Sequence, residues 1–382
     1  NMKKSVLVFA FFLSFCWLGA GCGPTRPADS ASDGSSFGQS SFSSASSPSS
    51  DSSSASSSSS DPTSAPDSSS SSDSDSSSQS SSGSSEPAPK PEHAKVVLMA
   101  GQSNMLGCTF AEYLTPQSIG AERYEKVSGK FEGVRILLET GNSLDDFVPV
   151  ELGQGNKAVM DSVYHKCFGP EVGMAEYLSE AFPDETIYLI KFAVGGSSLK
   201  EGWTSESRPP VNYNYQYFKN VANSGLKILS DAGLDPRIVG LCWMQGEADA
   251  ESTREAWSLE YGENLAALVS DLRMNFNAYA WTEHTLNFID AYISNSPDWT
   301  FYKNVNAAKL NFSKKSAHNY LLDTLAPDLV EKGRNGLIFA REATTLTPVD
   351  VKHYDSSSML KLGNMFGEAV AELCRTPRSA FF

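Results

Sequence analysis

Histidine is scarce in this chain: 5 in 382 residues, against 30 Lys and Arg and 45 Asp and Glu. Side chains that titrate near neutrality are therefore few, and each position can be weighed singly. Cysteine is also sparse. Of 6 in total, Cys16 and Cys22 fall in an N-terminal apolar run, which leaves Cys108, Cys167, Cys242 and Cys374. None stands in a Cys-x-x-C or Cys/His spacing, so no structural metal is implied. No apolar run reaches the roughly 20 residues that span a bilayer. No basic patch stands out against a net charge of −15, which argues against nucleic acid as a partner.

Large apolar residues are almost absent from 23 to about 92, where Ser, Asp, Pro, Ala and Gly dominate. Such a segment buries too little surface to offset its ordering entropy, so a disordered tether is expected over 23–93. Its nine acids stand against Arg26 and Lys90 alone, so about half of the net charge of −15 lies there. Ahead of it, Met2-Lys3-Lys4 and the apolar run "SVLVFAFFLSFCWLGAG" read as a secretory signal over 1–22. The run ends in "LGAGC", which resembles a bacterial lipobox with Cys22 as the acylated residue, although Leu18 sits one place too far from it. Export, with lipid attachment to a membrane or else secretion, is the expectation. Disulfides are permitted there, and four cysteines allow three pairings.

The remainder, 94–382, is long enough for one large domain. Buried parallel strands read as short apolar runs bounded by turn residues. Four are evident: Lys95–Gly101, Thr186–Gly196, Arg237–Gly246 and Thr285–Ile293, with a weaker fifth at Asn319–Leu325. Helix-period stretches alternate with them at Glu171–Phe182, Tyr217–Leu229, Trp257–Phe276, Phe301–Phe312 and Ser358–Leu373. This alternation implies an α/β fold with a mainly parallel five-stranded sheet and helices on both faces. In such folds ligands bind outside the carboxyl ends of the strands. Here the first three strands run into "GQSN", "GGSS" and "QGEAD".

A nucleophilic serine needs a base, normally histidine. His93 borders the tether, His284 and His318 precede strands at their amino ends, and His165 has no carboxylate at a fixed spacing. His353 follows the last strand on the side of the expected site, with Asp350 three residues ahead of it. That spacing lets a carboxylate accept from imidazole Nδ1, the orienting role of a triad acid. Ser103 in "GQSN" is the candidate nucleophile. The order Ser, Asp, His is shared with α/β-hydrolases, but their G-x-S-x-G elbow has Met105 in its last place here. Nothing able to fold precedes Lys95, so the scaffold is a different one.

The blocks "GQSNM", "AVGGSSL", "WMQGEAD" and "DVKH", with "FGPEVGMAEYL", resemble those of SGNH-type hydrolases. The nearest likeness is to the sialate-O-acetylesterase-like group that includes the acetylxylan esterases of carbohydrate esterase family 6. The resemblance covers roughly Val96 to Gly363 and implies a flavodoxin-like three-layer sandwich that hydrolyses acetyl esters on sugars. It implies Ser103 as nucleophile and His353 as base. Its oxyanion hole would combine the Ser103 N–H, an N–H of the Gly195-Gly196 turn and the Gln245 side-chain amide. The acid is Asp350 or Glu247, with equal claims. Asp249 is expected to fix a loop through backbone N–H groups. Gln102, Asn104 and Trp203 are candidates for substrate contact; Asn104 also suits a tie within the nucleophile loop, and Trp203 a packing role.

The expected partner is an acetylated carbohydrate, acetylated xylan first and sialate or another acetyl sugar second. The acidic domain mildly disfavours anionic substrates. No cofactor is required, because a triad and an oxyanion hole suffice for acyl transfer. A non-catalytic carbohydrate-binding protein on the same scaffold is the rival from another class. In a lipoprotein-processing bacterial host, radiolabelled palmitate should enter the wild type and not Cys22→Ser; an unlabelled wild type would remove the anchor.

Overall fold

The computed structural model describes residues 91–138, 146–155, 157–160, 163–282, 284–326, 330–331, 334–335 and 350–375. Cys22, the leader and nearly all of the serine-rich stretch lie outside the described residues. From His93 onward, apolar runs form a seven-stranded sheet rather than the five-stranded one expected. In chain order the strands are β1 (His93–Gly101), β2 (Lys130–Leu138), β3 (Val148–Glu151), β4 (Ile187–Ala193), β5 (Asp235–Met244), β6 (Phe288–Ala291) and β7 (Asn319–Leu322). Their order across the sheet is β7-β6-β5-β1-β4-β2-β3, all parallel except β3, which runs antiparallel to β2 at one edge.

The two additional strands lack the continuous apolar signature for a physical reason. The first half of β2 pairs only with β3, and its Lys130, Glu132 and Arg135 interrupt the apolar positions Phe131 and Val134. β3 is a four-residue edge strand containing Pro149, which an edge tolerates because its missing N–H need not pair on both sides.

Five long helices connect the layers: α1 (Pro170–Ala181), α2 (Tyr213–Asp231), α3 (Glu255–Phe276), α4 (Tyr302–Ser313) and α5 (Ser356–Arg375). Side chains alternate across a strand. On β4, Ile190 meets α2, where a Cβ on Gly225 would fall 2.5 Å from Ile190 Cδ1. The next residue, Lys191, reaches Glu171 on α1 across the other face. Helices therefore cover both faces, which is the three-layer sandwich expected. Tyr213, Tyr215 and Tyr217, whose alternation suits a groove lining or a half-buried segment, open α2; Tyr215 is buried and Tyr213 exposed. Among the described cysteines, Cys242 and Cys374 are thiols.

Two close backbone approaches decide where the strand ends and the last helix sit. α5 presses on α1 at glycines: a Cβ on Gly173 would lie 2.1 Å from Leu360 O, and one on Gly363 2.2 Å from Pro170 O. At the end of β1, Gly101 has φ +149, and a Cβ there would lie 2.0 Å from Met244 O. Gly101 pairs in register with Ala193 of β4 and Met244 of β5. The chain leaves β1 toward β2 on one side and later crosses to β5 on the other. Hence β1 marks the topological switch point, where such sheets open a crevice. Gly101→Ala is expected to cost about 2–3 kcal/mol, through clash and strain at a left-handed position. Chemical denaturation measures it, and an unshifted midpoint would contradict this account.

Candidate active site

Beyond Gly101, Gln102 N–H donates to Met244 O (2.9 Å) and the chain turns into one helical turn, Ser103–Leu106. Gln102 O accepts from Met105 N (2.9 Å) and Leu106 N (2.7 Å), and Ser103 O accepts from Gly107 N (2.9 Å). The N–H groups of Ser103 and Asn104 thus open the turn without a carbonyl partner among the described residues, as first-turn donors do. Ser103 is largely buried, at 8 % exposed.

His353 Nδ1 lies 2.7 Å from Asp350 Oδ2. The other oxygen of Asp350 accepts from the N–H groups of Lys352 (2.8 Å) and His353 (3.3 Å), closing the loop on itself. With Nδ1–H turned to a carboxylate, Nε2 of the neutral ring is left as the acceptor. The loop is tied to the serine turn by Asn104. Its amide donates to Lys352 O (3.2 Å) and its carbonyl accepts from Tyr354 N (3.3 Å), so it grips both sides of His353. Thr109 Oγ1 adds a donor to Tyr354 O (2.8 Å).

Glu247 does not hold the imidazole. Its Oε1 accepts from Asn104 Nδ2 (2.8 Å), and Oε2 is buried with no partner among the described residues. Complete burial pushes this carboxyl's pKa up, with the Asn104 hydrogen bond opposing. Of the two acids with equal claims in the sequence, Asp350 is the one on His353. Asn104 is fully engaged in these ties, so it is not a substrate contact.

On the far side of Ser103, the chain leaving β4 turns through Val194–Ser197, with Val194 N–H on Gly101 O (3.1 Å). Gly196 has φ +69, in the left-handed region that glycine adopts readily. The N–H groups of Gly195 and Gly196 donate to no group among the described residues. Trp203 braces this turn: its Nε1 donates to Ser197 Oγ (2.8 Å). Its ring packs among Phe192, Phe218 and Trp243 at 1 % exposure. A ring so enclosed cannot stack on a sugar, which corrects the substrate role considered for Trp203.

The Gln245 amide is likewise spent. Nε2 donates to Asp249 Oδ2 (2.6 Å) and Ser197 O (3.1 Å), and Oε1 accepts from Tyr261 OH (3.1 Å). Both protons are committed inside the protein, so Gln245 cannot serve the oxyanion hole; it fastens the end of β5 to the Ser197 turn. Asp249 also takes the N–H groups of Leu199 (2.7 Å) and Lys200 (3.0 Å), the loop-fixing role expected of it. Burial raises its pKa to about 6. The donor left available is Gln102. Its Oε1 accepts from Ala248 N (3.1 Å), which turns its own Nε2 away from that N–H and toward no partner among the described residues.

A protein-family model described as carbohydrate esterase, sialic acid-specific acetylesterase, matches residues 93–372. The chain belongs to this family. It is a carboxylic ester hydrolase of the carbohydrate esterase group. Solved structures agree on the fold. NanS superposes with a TM-score of 0.52 at 16% identity, over 76% of this chain and 100% of that one. A protein from Arabidopsis thaliana gives 0.50 at 17%, over 74% and 98%. No curated protein matches the chain.

Some of this esterase's site is invisible in its motifs. The Lys191–Glu171 pair beneath the serine turn is one such element; a lone charge in the apolar run "IYLIKFA" is the available signal. No His/Cys/Asp/Glu group that could hold a metal occurs among the described residues. No described helix is long and apolar enough to cross a membrane. In this esterase, Asp350→Asn should lower kcat by about 10³–10⁴, because the imidazole loses its orienting carboxylate. Glu247→Gln keeps an oxygen for Asn104 and should cost less than about ten-fold. Steady-state hydrolysis of 4-nitrophenyl acetate measures both, and the reverse order would assign the imidazole to Glu247.

Proposed function

We propose that this esterase removes O-acetyl groups from carbohydrate by acyl transfer through Ser103. The observation that carries the reading is the Asp350–His353 contact of 2.7 Å in a loop that Asn104 fastens to the serine's own turn. His353 Nε2 accepts the Ser103 Oγ proton as Oγ attacks the acetyl carbonyl carbon. The oxyanion that forms is met by the N–H of Ser103, an N–H of the Gly195-Gly196 turn and the Gln102 amide. Loss of one such donor typically costs about 10²–10³ in kcat. The tetrahedral intermediate collapses when His353 returns the proton to the sugar oxygen, which leaves as an alcohol. Water, deprotonated by His353, then cleaves the acetyl-enzyme, and acetate leaves.

A neutral acetylated polysaccharide, with acetylated xylan as the first choice, fits the charges around these residues. Each cation that flanks them in sequence already faces a carboxylate: Lys352 with Asp298 (3.6 Å), Arg254 with Glu251 (3.3 Å), and Lys200 with Glu260. Among the described residues these three cations are already paired, which favours a neutral sugar and ranks sialate second. A purely carbohydrate-binding role would require neither the Asp350–His353 pair nor unpartnered N–H groups beside a serine. We also propose that the enzyme works outside the cytoplasm, on the strength of the leader and Cys22.

Acetate release from acetylated xylan, O-acetylated sialic acid and 4-nitrophenyl acetate tests this reading with wild type and Ser103→Ala. Xylan should be deacetylated fastest, and the substitution should abolish release while circular dichroism stays unchanged. Release by Ser103→Ala at the wild-type rate would remove Ser103 as nucleophile. Preference for the sialate would reverse the substrate assignment.

A further inference from the structure

Lys191 is the one charged residue of β4, and it is 0% exposed. Its Nζ donates to Glu171 Oε2 (2.5 Å) and to Leu106 O (3.0 Å), the carbonyl that ends the nucleophile turn. Glu171, 2 % exposed at the start of α1, accepts from Gly169 N (2.8 Å) with its other oxygen. Gly169 in turn lies against the chain leaving that turn. A Cβ on Gly107 would sit 2.5 Å from Gly169 N, and one on Gly169 would sit 2.9 Å from Met105 O.

A buried ion pair is a poor device for stability. Its desolvation cost commonly matches or exceeds its attraction, and apolar replacements of similar volume are often as stable. Lys191 stands in a parallel strand beside Leu189 and Ile190, which are apolar and fully buried. What it supplies that apolar side chains cannot is a directed donor to one backbone carbonyl. Ser103–Leu106 is a single turn closed by Gly107 N on Ser103 O, so it moves as one body. Fixing Leu106 O therefore fixes where Ser103 Oγ points.

We propose that Lys191 and Glu171 are positioning residues for Ser103: the pair anchors the C-terminal end of the nucleophile turn and thereby aims the hydroxyl at its base and the acetyl carbon. This inference rests on Ser103 being the nucleophile. A reacting atom displaced by about 1 Å can lose 10²-fold in rate while binding is hardly affected. A positioning role therefore predicts a loss in kcat rather than in KM.

The test is the double variant Lys191→Met/Glu171→Leu, which removes both charges together and leaves no ion unpaired in the interior. With 4-nitrophenyl acetate, kcat should fall by at least about ten-fold with KM within about three-fold. The acylation rate of Ser103 by a fluorophosphonate should fall in parallel, at a Tm within a few degrees of wild type. Wild-type kcat and acylation in the folded double variant would overturn the proposal. If that variant does not fold, Glu171→Gln is decisive, since it keeps an acceptor for Gly169 N and weakens the hold on Lys191. A three- to ten-fold loss in kcat with KM unchanged supports the proposal, and wild-type kcat overturns it. Ser103→Ala run alongside separates the two ideas. Activity surviving in it sinks the esterase assignment itself, whereas an inactive Ser103→Ala beside an unimpaired double variant sinks only the positioning role.

Discussion

The contact between Gly101 and Met244 O is the constraint from which the rest of the site follows. Because no side chain intervenes, β1 and β5 end at one level, and the register with β4 brings Ala193 to that level too. Three chain segments then leave the sheet side by side: the serine turn, the glycine turn and the Gln245–Asp249 stretch. Any residue larger than glycine would push the serine turn off its neighbour. The polar groups above would then lose their mutual distances, whatever their own chemistry.

Above that contact, the polar side chains divide into those that hold and those that are left to act. Gln245, Asp249, Asn104 and Glu247 spend their hydrogen bonds on backbone or on one another. Apart from Glu247 Oε2, which is buried with no partner among the described residues, buried groups engaged in this way stiffen a site, because each lost bond exposes the desolvation cost of its partner. Against this frame, the N–H groups of Gly195 and Gly196 donate to no group among the described residues and keep capacity for a ligand. Pre-organisation in this sense means that no donor has to break an internal bond before it meets a developing negative charge.

The sequence makes much of this legible, and the gaps have identifiable causes. Runs such as "KVVLMAG" and "RIVGLCWMQG" announce central strands because both faces are covered and the positions between the ends are apolar. "KFEGVRILL" does not, because half of it lies toward the sheet edge, where charges are tolerated. The order of "GQSN", "GGSS", "QGEAD" and "DVKH" along the chain, with strand-end logic, suffices to place Ser103, Glu247 and His353 on one edge. It does not decide between Asp350 and Glu247, since each sits at that edge and only the path of the 350–354 loop separates them. Gln245 and Trp203 fail in the same way. A motif records that an amide or an indole is present, but whether its N–H is already taken depends on how the chain turns between Gln245 and Asp249 and between Ser197 and Trp203.

Asn104 closes its hydrogen bonds onto residues up to 250 positions away. Closing a loop of that length costs entropy, which the contacts made across it must offset. The 350–354 segment leads directly into α5, whose Gly363 seats on α1. A chain in which Asn104 holds Lys352 and Tyr354 has therefore joined the first strand of the sheet to the last helix.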